Sequence, residues 1–454
     1  MPARAARSGR PAGARQKAKT TPKRTPAPSE GRAPSGQSLE HRILLTATLC
    51  LLAFGAVMVY SASSATTLLQ GQGNGSAYLI KFVLYGAIGL IAMRVLARDG
   101  VAKVQSITAP LLVVSFALVL AVHVPHIGVS VNGARRWIGP GSLQFQPSEL
   151  LKLALVLYTA TLLARRPQRV HDLRALMNPL LIVLGGACLL VATEPDLGTA
   201  MVIAFTTAAL FIAAGMPLRK LAFLGATVLA LVFLYALARP YARARLTSFV
   251  DPWAHAAGSG FQAVQGQIAI GSGGLLGVGP GESVQKIFYL PEAPTDFILA
   301  VIAEELGVLG VCALLCLYGL IAYAGLRAAK MARSLYSALL AVGVTSLIVS
   351  QALLNVFAVL GLAPLTGVTL PFVSYGSSSL IVMLAAMGLL LNVAAGGTAH
   401  VRAVAPSRSR SGDARSREQA RWSSERSAEE DRDRRGRDRR ARGSGARGGG
   451  RAAG

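Results

Sequence analysis

Cysteine and histidine are scarce in this sequence, which holds four of the first and six of the second among 454 residues. All four cysteines lie in apolar segments, where cysteine usually behaves as a small buried hydrophobe. They are Cys50, Cys188, Cys312 and Cys316. Cys312 and Cys316 are one helical turn apart, but no histidine or aspartate stands near them at metal-ligand spacing. The cysteines are therefore predicted to be structural.

Acidic residues are also few, since 21 Asp/Glu face 46 Lys/Arg and the net charge is +25. Much of this excess lies at the ends of the chain. Residues 1–42 hold ten Lys/Arg and two Asp/Glu, and residues 401–454 hold sixteen and eight. Basic tails beside a bilayer meet anionic lipid and set topology, so no nucleic-acid partner is expected. We predict disordered cytoplasmic tails over 1–42 and 396–454.

Three further signatures are absent. Gly-Lys-Ser/Thr does not occur, which argues against a phosphate-cradling P-loop. No short apolar stretch with a small-residue cleavage site follows the basic N-terminus, so a cleaved signal peptide is not expected. No clear internal repeat is visible, which weakens the case for a transporter built from inverted repeats.

Long apolar runs are abundant. Hydrophobic residues make up 52% of the chain and the mean hydropathy is +0.49. The predicted fold of 43–395 is all-α, a polytopic membrane protein with about ten transmembrane helices and a large extracytoplasmic loop, 239–296, between the seventh and eighth. The segments are 43–62, 78–97, 107–125, 149–164, 178–194, 196–215, 220–238, 297–325, 334–360 and 378–395.

The distribution of Lys and Arg among the loops predicts the orientation. With the N-terminus in the cytoplasm, the cytoplasmic loops hold twelve Lys/Arg and the outer loops hold six. An even number of helices returns the C-terminus to the cytoplasm. The loops at 126–148, 239–296 and 361–377 and the sharp turn at 194–196 then face outward.

The stretch from Gln285 to Gly310 changes from a polar loop to an apolar helix at Asp296. A carboxylate at such a boundary is costly unless it is solvated, paired or used. Glu304 and Glu305 follow inside the apolar run, with Glu304 roughly 12 Å deeper along a helix. These three acids are candidate functional residues, and the carboxylate at the start of the helix suits a general base or a metal ligand.

Other polar residues gather in the loops assigned to the outer face. Arg136 and Lys152 suit an anion, but Glu149 stands at i, i+3 from Lys152 and can pair with it instead. Asp196 begins the sixth segment, where an N-cap is the simpler interpretation. A cationic cluster, or else a solvated surface, is formed by Arg239, Arg243 and Arg245. Together these groups suit a substrate with a phosphate or diphosphate head outside and a lipid tail in the bilayer.

Glycine and proline interrupt two outward segments. The glycines of IAIGSGGLLGVGPG, 268–281, either let the backbone approach a ligand or permit tight turns. The stretch 355–379 contains Pro364, Gly367 and Pro371 in an otherwise apolar run, and its Ser and Thr can satisfy backbone groups freed by a broken helix.

Four phrases resemble the SEDS family (shape, elongation, division and sporulation), which includes FtsW, RodA and SpoVE. They are VNGARRWIG with QPSELLK, then EPDLGTA, then GSGFQAVQGQIAIGSGGLLGVGPGESVQKIFYLPEAPTDFILAVIAEELG, and finally APLTGVTLPFVSYGSSS. The resemblance spans about 43–395, and SVQKIFYLPEAPTDFI is most like the FtsW/SpoVE branch. Two departures are Ser377, where the family commonly has a second Gly, and Leu365, a mild change after Pro364.

The resemblance implies ten transmembrane helices and peptidoglycan glycosyltransferase activity on lipid II outside the cytoplasmic membrane, at the division septum. Asp296, the acid of the family's TDF phrase, would help deprotonate the acceptor GlcNAc 4-hydroxyl. That oxygen would attack C1 of the donor MurNAc with inversion and expel undecaprenyl diphosphate. Asp296 would alternatively help position a divalent cation, Mg or Mn. A class B penicillin-binding protein and other divisome proteins are the implied partners.

The resemblance also implies a substrate-binding set. Its cationic members would neutralise the diphosphate as negative charge builds on the leaving group. The set consists of Arg136, Lys152, Arg243, Glu149, Lys286 and Ser374.

Three alternatives remain open. A lipid II flippase needs a polar path across the whole bilayer, and Glu304 and Glu305 favour it mildly. The gathering of most charges on the outer side favours an enzyme with one outward site. A RodA-like elongation polymerase would use the same site. A non-catalytic divisome scaffold would leave Asp296 replaceable.

Overall fold

A computed structural model describes residues 38–397 and residue 422, apart from gaps at 70, 72–74, 132–133, 140–143, 173–176 and 239. The predicted tails, 1–42 and 396–454, lie almost wholly outside the described residues. At their edges, the first helix begins at Leu39 rather than at residue 43, and the last helix ends at Ala394.

Helices account for nearly all of the regular structure in the described chain. They are α1 (Leu39–Leu69), α2 (Ala77–Ala121), α3 (Pro147–Arg165), α4 (Ile182–Thr193), α5 (Leu197–Ala213), α6 (Leu218–Ala238), α7 (Pro240–Val250), α8 (Phe261–Gly273), α9 (Ile298–Met331), α10 (Leu335–Val359) and α11 (Ser377–Ala394). Two short strands, β1 (Gly128–Val131) and β2 (Ala134–Ile138), pair antiparallel as a hairpin.

Seven stretches of the described residues are long and apolar enough to cross a membrane, and two of them lie within α2. Three more helices bring the number of apolar stretches to ten. The helices α4 and α5 are shorter, and α6 has 21 residues. These ten stretches coincide with the ten predicted segments, so the prediction of an all-α polytopic membrane protein is confirmed. The predicted loop 239–296 differs from expectation, because it contains α7 and α8.

The helix α2 contains two of the stretches that could cross a membrane, Ala77–Arg98 and Gly100–Ala121, and they meet at its middle. Nδ2 of Asn392 in α11 donates to the carbonyls of Ala97 and Arg98 at 2.8 and 2.6 Å. A side chain of α11 thus satisfies backbone carbonyls where the two stretches of α2 meet.

The helix α9 is broken at Gly307, whose φ of 63° and ψ of −164° are not helical. The segment 274–279 fills the break. Two of its amides donate to the carbonyls of Glu304 and Glu305 at 2.9 and 3.1 Å, and two of its carbonyls accept from amides just after the break at 3.0 and 3.3 Å. We call this arrangement the interlocked break. It leaves the predicted eighth segment as two helical pieces joined through a neighbouring loop.

Glycine makes the interlocked break possible. A Cβ on Gly273 would lie 1.9 Å from the Ala303 carbonyl oxygen, and one on Gly277, at φ +83°, would lie 2.1 Å from the Glu305 carbonyl oxygen. These two glycines therefore permit close approach of their backbone to that of α9.

One end of the helical bundle gathers the polar segments, and we call it the hairpin end because β1 and β2 lie there. The amide of Gln146, before α3, donates to Ser378 Oγ at the start of α11. The amide of Tyr375 donates to the Pro294 carbonyl, 2.9 Å away, just ahead of α9. The starts of α3, α9 and α11 are thereby held together.

Candidate functional site

Asp296 lies at the hairpin end, two residues before α9. Nδ2 of Asn355 in α10 donates to the carbonyl oxygens of Asp296 and Val368, both at 2.7 Å. A Cβ on Gly367, at φ +68°, would lie 3.8 Å from Oδ2 of Asp296, so this stretch of backbone faces the carboxyl group. The Asp296 side chain remains partly exposed. It is therefore held in a defined position and is still open to a reactant.

The site stabilises the protonated form of the Asp296 carboxyl group relative to a carboxyl group in water. Its pKa is raised from 3.8 to about 7, mainly because surrounding protein desolvates the carboxyl group and secondly because Glu292 carries a negative charge. The backbone amide of Asp296, the Thr295 hydroxyl and the charge of Arg245 act in the opposite direction. A carboxyl group with a pKa near 7 is suited to general-base catalysis at neutral pH.

A second carboxylate lies beside Asp296. Oγ1 of Thr295 is 3.1 Å from Asp296 Oδ1 and 3.0 Å from Glu292 Oε2. Glu292 itself has a φ of 57°, in the left-handed region that non-glycine residues rarely adopt. Backbone strain of this kind concentrates at functional sites, where surrounding contacts maintain it.

Arg245 is the cation whose charge acts on Asp296. It is half-buried on α7, and its Nη1 donates to the Leu365 carbonyl at 2.8 Å. Arg243, which the sequence favoured, is exposed and donates to the Leu237 carbonyl at 2.7 Å. The two arginines are two residues apart on one helix and so point to roughly opposite sides. Substrate binding by Arg243 stays a prediction.

A groove of about 290 Å³ opens beside Arg245, between α7, α8 and the end of α10. Its lining mixes apolar side chains with Trp253, Gln267 and Ser248. A concavity of this size with a few polar groups has the character of a ligand site.

Lys152 and Glu149 form the ion pair that their spacing allowed. Both are buried in α3, and Nζ of Lys152 lies 2.9 Å from Oε1 of Glu149 and 2.6 Å from Oε1 of Gln351. Nε2 of Gln351 in turn donates to the Thr369 carbonyl and to Ser379 Oγ at 3.1 and 3.2 Å. This chain of polar contacts reaches the segment between α10 and α11 at Thr369, two residues from Gly367. Contact of Lys152 or Glu149 with a substrate stays a prediction.

Arg136 supports the turn before α5. Its Nε and Nη2 donate to the carbonyls of Glu194 and Pro195 at 2.9 and 2.6 Å. Asp196 caps α5, because its Oδ1 accepts from the Thr199 amide at 3.1 Å. The carboxyl group of Glu194 is buried and has no hydrogen-bond partner among the described residues. Burial, followed by the charge of Asp196, raises its pKa to about 8.

Lys286 and Ser374, the remaining predicted substrate-binding residues, are buried. Nζ of Lys286 lies 2.7 Å from Oε1 of Glu305 and 3.1 Å from Ser61 Oγ. Oγ of Ser374 accepts from the Leu370 amide at 2.9 Å. Each of these contacts holds local structure, and a role in substrate binding remains a prediction for both residues.

The structure thus groups Asp296 with residues outside the predicted substrate-binding set. Gln351 and Asn355 could have been found, since they are polar residues one turn apart in an apolar helix. Glu292 and Thr295 belong to a loop whose turn geometry the sequence does not reveal. The added residues are Arg245, Glu292, Thr295, Gln351 and Asn355.

Metal-binding groups are limited in the described part of the chain. It contains no cluster of three or more His, Cys, Asp or Glu side chains. Mg²⁺ is nevertheless commonly held by one or two carboxylates together with substrate phosphates. The carboxylates of Asp296 and Glu292 fit that smaller set.

Comparisons of sequence point to one group of proteins. The chain matches the FtsW/RodA/SpoVE family, described as cell cycle protein, over residues 42–398. It is 40% identical over 352 residues to stage V sporulation protein E of Bacillus subtilis (strain 168), covering 77% of this chain and 96% of that protein. It is 42% identical over 358 residues to the probable peptidoglycan glycosyltransferase FtsW of Coxiella burnetii (strain RSA 493 / Nine Mile phase I), covering 77% and 95%.

Two solved structures are similar in fold as well as in sequence. A chain from a peptidoglycan synthase complex that coordinates polymerization and crosslinking has a TM-score of 0.64 and 31% identity, covering 77% of this chain and 96% of that chain. Rod shape determining protein RodA of Thermus thermophilus has a TM-score of 0.56 and 29% identity, covering 77% and 95%. Sequence identity and fold therefore relate the chain to the same group of proteins.

Proposed function

Because the chain belongs to the FtsW/RodA/SpoVE family, we propose that it is a peptidoglycan glycosyltransferase that polymerises lipid II into glycan strands. The observation that carries this proposal is the carboxyl group of Asp296. It is held through its backbone by Asn355, faces the backbone of Gly367 and has a pKa of about 7. The names of the FtsW relatives support the same chemistry.

In this reaction Asp296 acts as the general base. Its carboxylate takes the proton of the acceptor 4-hydroxyl as that oxygen forms a bond to C1 of the donor sugar. The bond between C1 and the phosphate oxygen breaks on the opposite face, and its electron pair leaves with undecaprenyl diphosphate. The configuration at C1 is inverted. A positioned base of matched pKa typically contributes a factor of about 10² to 10⁴ to the rate.

Charge stabilisation of the leaving diphosphate comes from cations at the hairpin end. Arg245 is the best supported, because its charge acts at Asp296 and it lines the adjoining groove. A guanidinium group binds phosphate oxygens in a bidentate manner. The cations predicted for this role from the sequence, Arg136, Lys152 and Arg243, would add to this charge, although each also makes the structural contacts described above.

A divalent cation, Mg or Mn, would be held by Asp296 and Glu292. When bound it would neutralise diphosphate charge as a Lewis acid. In that case Asp296 would position the cation instead of acting as the general base, and Thr295 would lie between the two carboxylates.

The hairpin end is proposed to face the outside of the cytoplasmic membrane, with both termini in the cytoplasm and the protein at the septum. The Lys/Arg distribution supports this orientation. A class B penicillin-binding protein and other divisome proteins are the proposed partners. Exposed apolar side chains ahead of α9, including Phe288 and Tyr289, support a neighbour at this end.

The test is glycan polymerisation from labelled lipid II. The protein is purified with its class B penicillin-binding protein, whose transpeptidase site is inactivated. Asp296→Asn should lower the rate at least about 100-fold at equal folded yield. Asp251→Asn, which changes an exposed carboxylate elsewhere at the hairpin end, should leave the rate unchanged. Wild-type activity should rise with pH through about 7.

Equal product from wild type and Asp296→Asn would remove Asp296 from the mechanism. Absence of product, together with lipid II translocation in proteoliposomes, would support the flippase instead. The structure gives that alternative little support from Glu304 and Glu305. Glu304 accepts from the Val284 amide at 3.0 Å, and Glu305 is paired with Lys286.

A further inference from the structure

The groove beside Arg245 has no occupant assigned to it so far. We call it the Arg245 groove; it lies between α7, α8 and the end of α10. Small residues form part of its lining, among them Ala263, Ala358 and Gly361, so the helices leave room between them. Its volume of about 290 Å³ is at the lower end of the range of about 300–1,000 Å³ for small-molecule pockets. This space suits one sugar-sized ring rather than a whole lipid-linked substrate.

Two side chains in the groove have the chemistry that carbohydrate sites use. Trp253 is 60% exposed, so most of its surface is open to a ligand. The apolar C–H face of a pyranose ring packs well on an indole, which is large, rigid and mostly apolar. Gln267 supplies an amide, which is a hydrogen-bond donor and acceptor at once.

Gly361 makes room for that amide. A Cβ on Gly361, at φ +75°, would lie 2.8 Å from Nε2 of Gln267, which is too close for two non-bonded atoms. The glycine therefore allows the amide to lie against the backbone just after α10. An amide placed in this way can bond to an N-acetyl group, whose N–H and C=O match its acceptor and its donor.

We propose that the Arg245 groove binds one N-acetylated pyranose ring of the saccharide, with the apolar face of the ring on Trp253 and its N-acetyl group hydrogen-bonded to Gln267. This assignment rests on the function proposed above, which makes a saccharide the substrate. The ring belongs either to the acceptor lipid II or to the growing glycan chain, because both contain N-acetylated pyranoses.

The groove adjoins the reacting groups. Gly266, next to Gln267 on α8, packs on the residue after Asp296, since a Cβ on Gly266 would lie 2.7 Å from Cε1 of the Phe297 ring. From α7, Arg245 lines the groove and its charge acts at Asp296. A ring in the groove therefore lies near the reacting carboxyl group without occupying it, because Asp296 is not part of the lining.

A polyprenyl tail is the competing occupant, and the surroundings disfavour it. Asp251 and His255, close to Trp253 in the chain, are exposed polar residues. The groove therefore opens where water or lipid headgroups lie, rather than in hydrocarbon. A tail would also desolvate the Gln267 amide without giving it a hydrogen-bond partner, which costs free energy.

Tryptophan fluorescence tests binding directly, because the chain has only three tryptophans. The double variant Trp137→Phe, Trp422→Phe leaves Trp253 as the reporter in the full-length protein. The probe is diacetylchitobiose, a neutral N-acetylated disaccharide. The comparison ligands are undecaprenyl phosphate and cellobiose, which has the same linkage without N-acetyl groups. The same titrations in an Asp296→Asn background separate binding from chemistry.

Diacetylchitobiose should shift the emission of Trp253 saturably, with a dissociation constant in the millimolar range because one ring buries little surface. Gln267→Met keeps the length of the side chain but removes the amide, and it should raise that constant about tenfold. Gln262→Met removes an amide of the same helix outside the groove lining and should not change it. Cellobiose should bind at least about tenfold more weakly.

Polymerisation of lipid II identifies which molecule supplies the ring. If the ring belongs to the acceptor, Trp253→Ala should raise the KM for lipid II about tenfold. If it belongs to the growing chain, the same variant should shorten the glycan product at unchanged KM. Trp253→Phe keeps an aromatic face and should restore most of either effect. Because Trp253 is exposed, both variants should retain the fold.

A Trp253 signal that does not respond to diacetylchitobiose would overturn the proposal, as would a response to undecaprenyl phosphate alone or an equal affinity for cellobiose. Equal effects of Gln267→Met and Gln262→Met would also overturn it, and so would a Trp253→Ala protein with unchanged KM and product length. Saturable disaccharide binding that Gln267→Met weakens, in a protein that makes no glycan, would sustain the saccharide site. That same result would refute the proposed polymerase function.

Discussion

The buried ion pair between Lys286 and Glu305 offers a quantitative test of how the loop before α9 is held. The charged atoms are 2.7 Å apart, and both side chains are almost fully enclosed. At an effective dielectric constant of about 20, the Coulomb attraction is about 6 kcal/mol. Desolvation of both groups offsets much of this in the intact protein.

Lys286→Met removes the attraction but leaves Glu305 buried. Within the part of the chain that the structure describes, the second carboxylate oxygen of Glu305 has no hydrogen-bond partner, and Ser61, at 2.6 Å, continues to donate to the first. Removing one member of a buried pair typically costs about 3–5 kcal/mol. We expect the midpoint of thermal unfolding in detergent to fall by roughly 6–10 °C.

The double variant Lys286→Met, Glu305→Gln completes the cycle. No charge remains buried, so its free energy of unfolding should return to within about 1–2 kcal/mol of wild type. If Lys286 also binds substrate, this variant regains stability without regaining polymerisation. A Lys286→Met protein that unfolds within about 1 °C of wild type would refute the reasoning, as would a double variant whose loss equals the sum of the single losses.

Two further predictions follow from the backbone and from a buried acid. Gly307→Ala should destabilise by about 3 kcal/mol or more, because the Cβ would lie 2.5 Å from the Gly277 amide at φ +63°. Gly319→Ala, with open space in the same helix, should be near neutral in the same unfolding assay. For Glu194, the folded-state pKa of about 8 exceeds its ordinary 4.5, so stability should fall as pH rises between those values. Glu194→Gln should remove that dependence of the unfolding temperature on pH, and an unchanged slope would contradict it.

Much of the fold was predictable because hydropathy marks each apolar segment. The break in α9 was not predictable, since Gly307 is one glycine among many and its partner segment is distant in sequence. The hairpin was missed although Asn132-Gly133 stands between its strands, a pair that favours tight hairpin turns. The region 239–296 was predicted as one large loop, and α7 and α8 within it were not predicted.

The site was partly predictable for a different reason. Asp296 stood out because a carboxylate at a membrane boundary requires an explanation. Its neighbours did not, because Glu292 and Thr295 come together only through a turn with positive φ. Arg243 and Arg245 were indistinguishable until α7 was recognised as a helix that points them in different directions.

The interlocked break has a consequence for biosynthesis. The exposed backbone groups around Gly307 cannot be satisfied by lipid, and the segment that satisfies them, 274–279, precedes α9 in the chain. During translation, segment 274–279 therefore leaves the ribosome before the break in α9 that it occupies. The second piece of α9, from Val308 to Met331, is about 36 Å long and can span a bilayer alone. Stable insertion of α9 thus needs only that second piece. The first piece, before Gly307, can dock afterwards onto segment 274–279, which has already been synthesised.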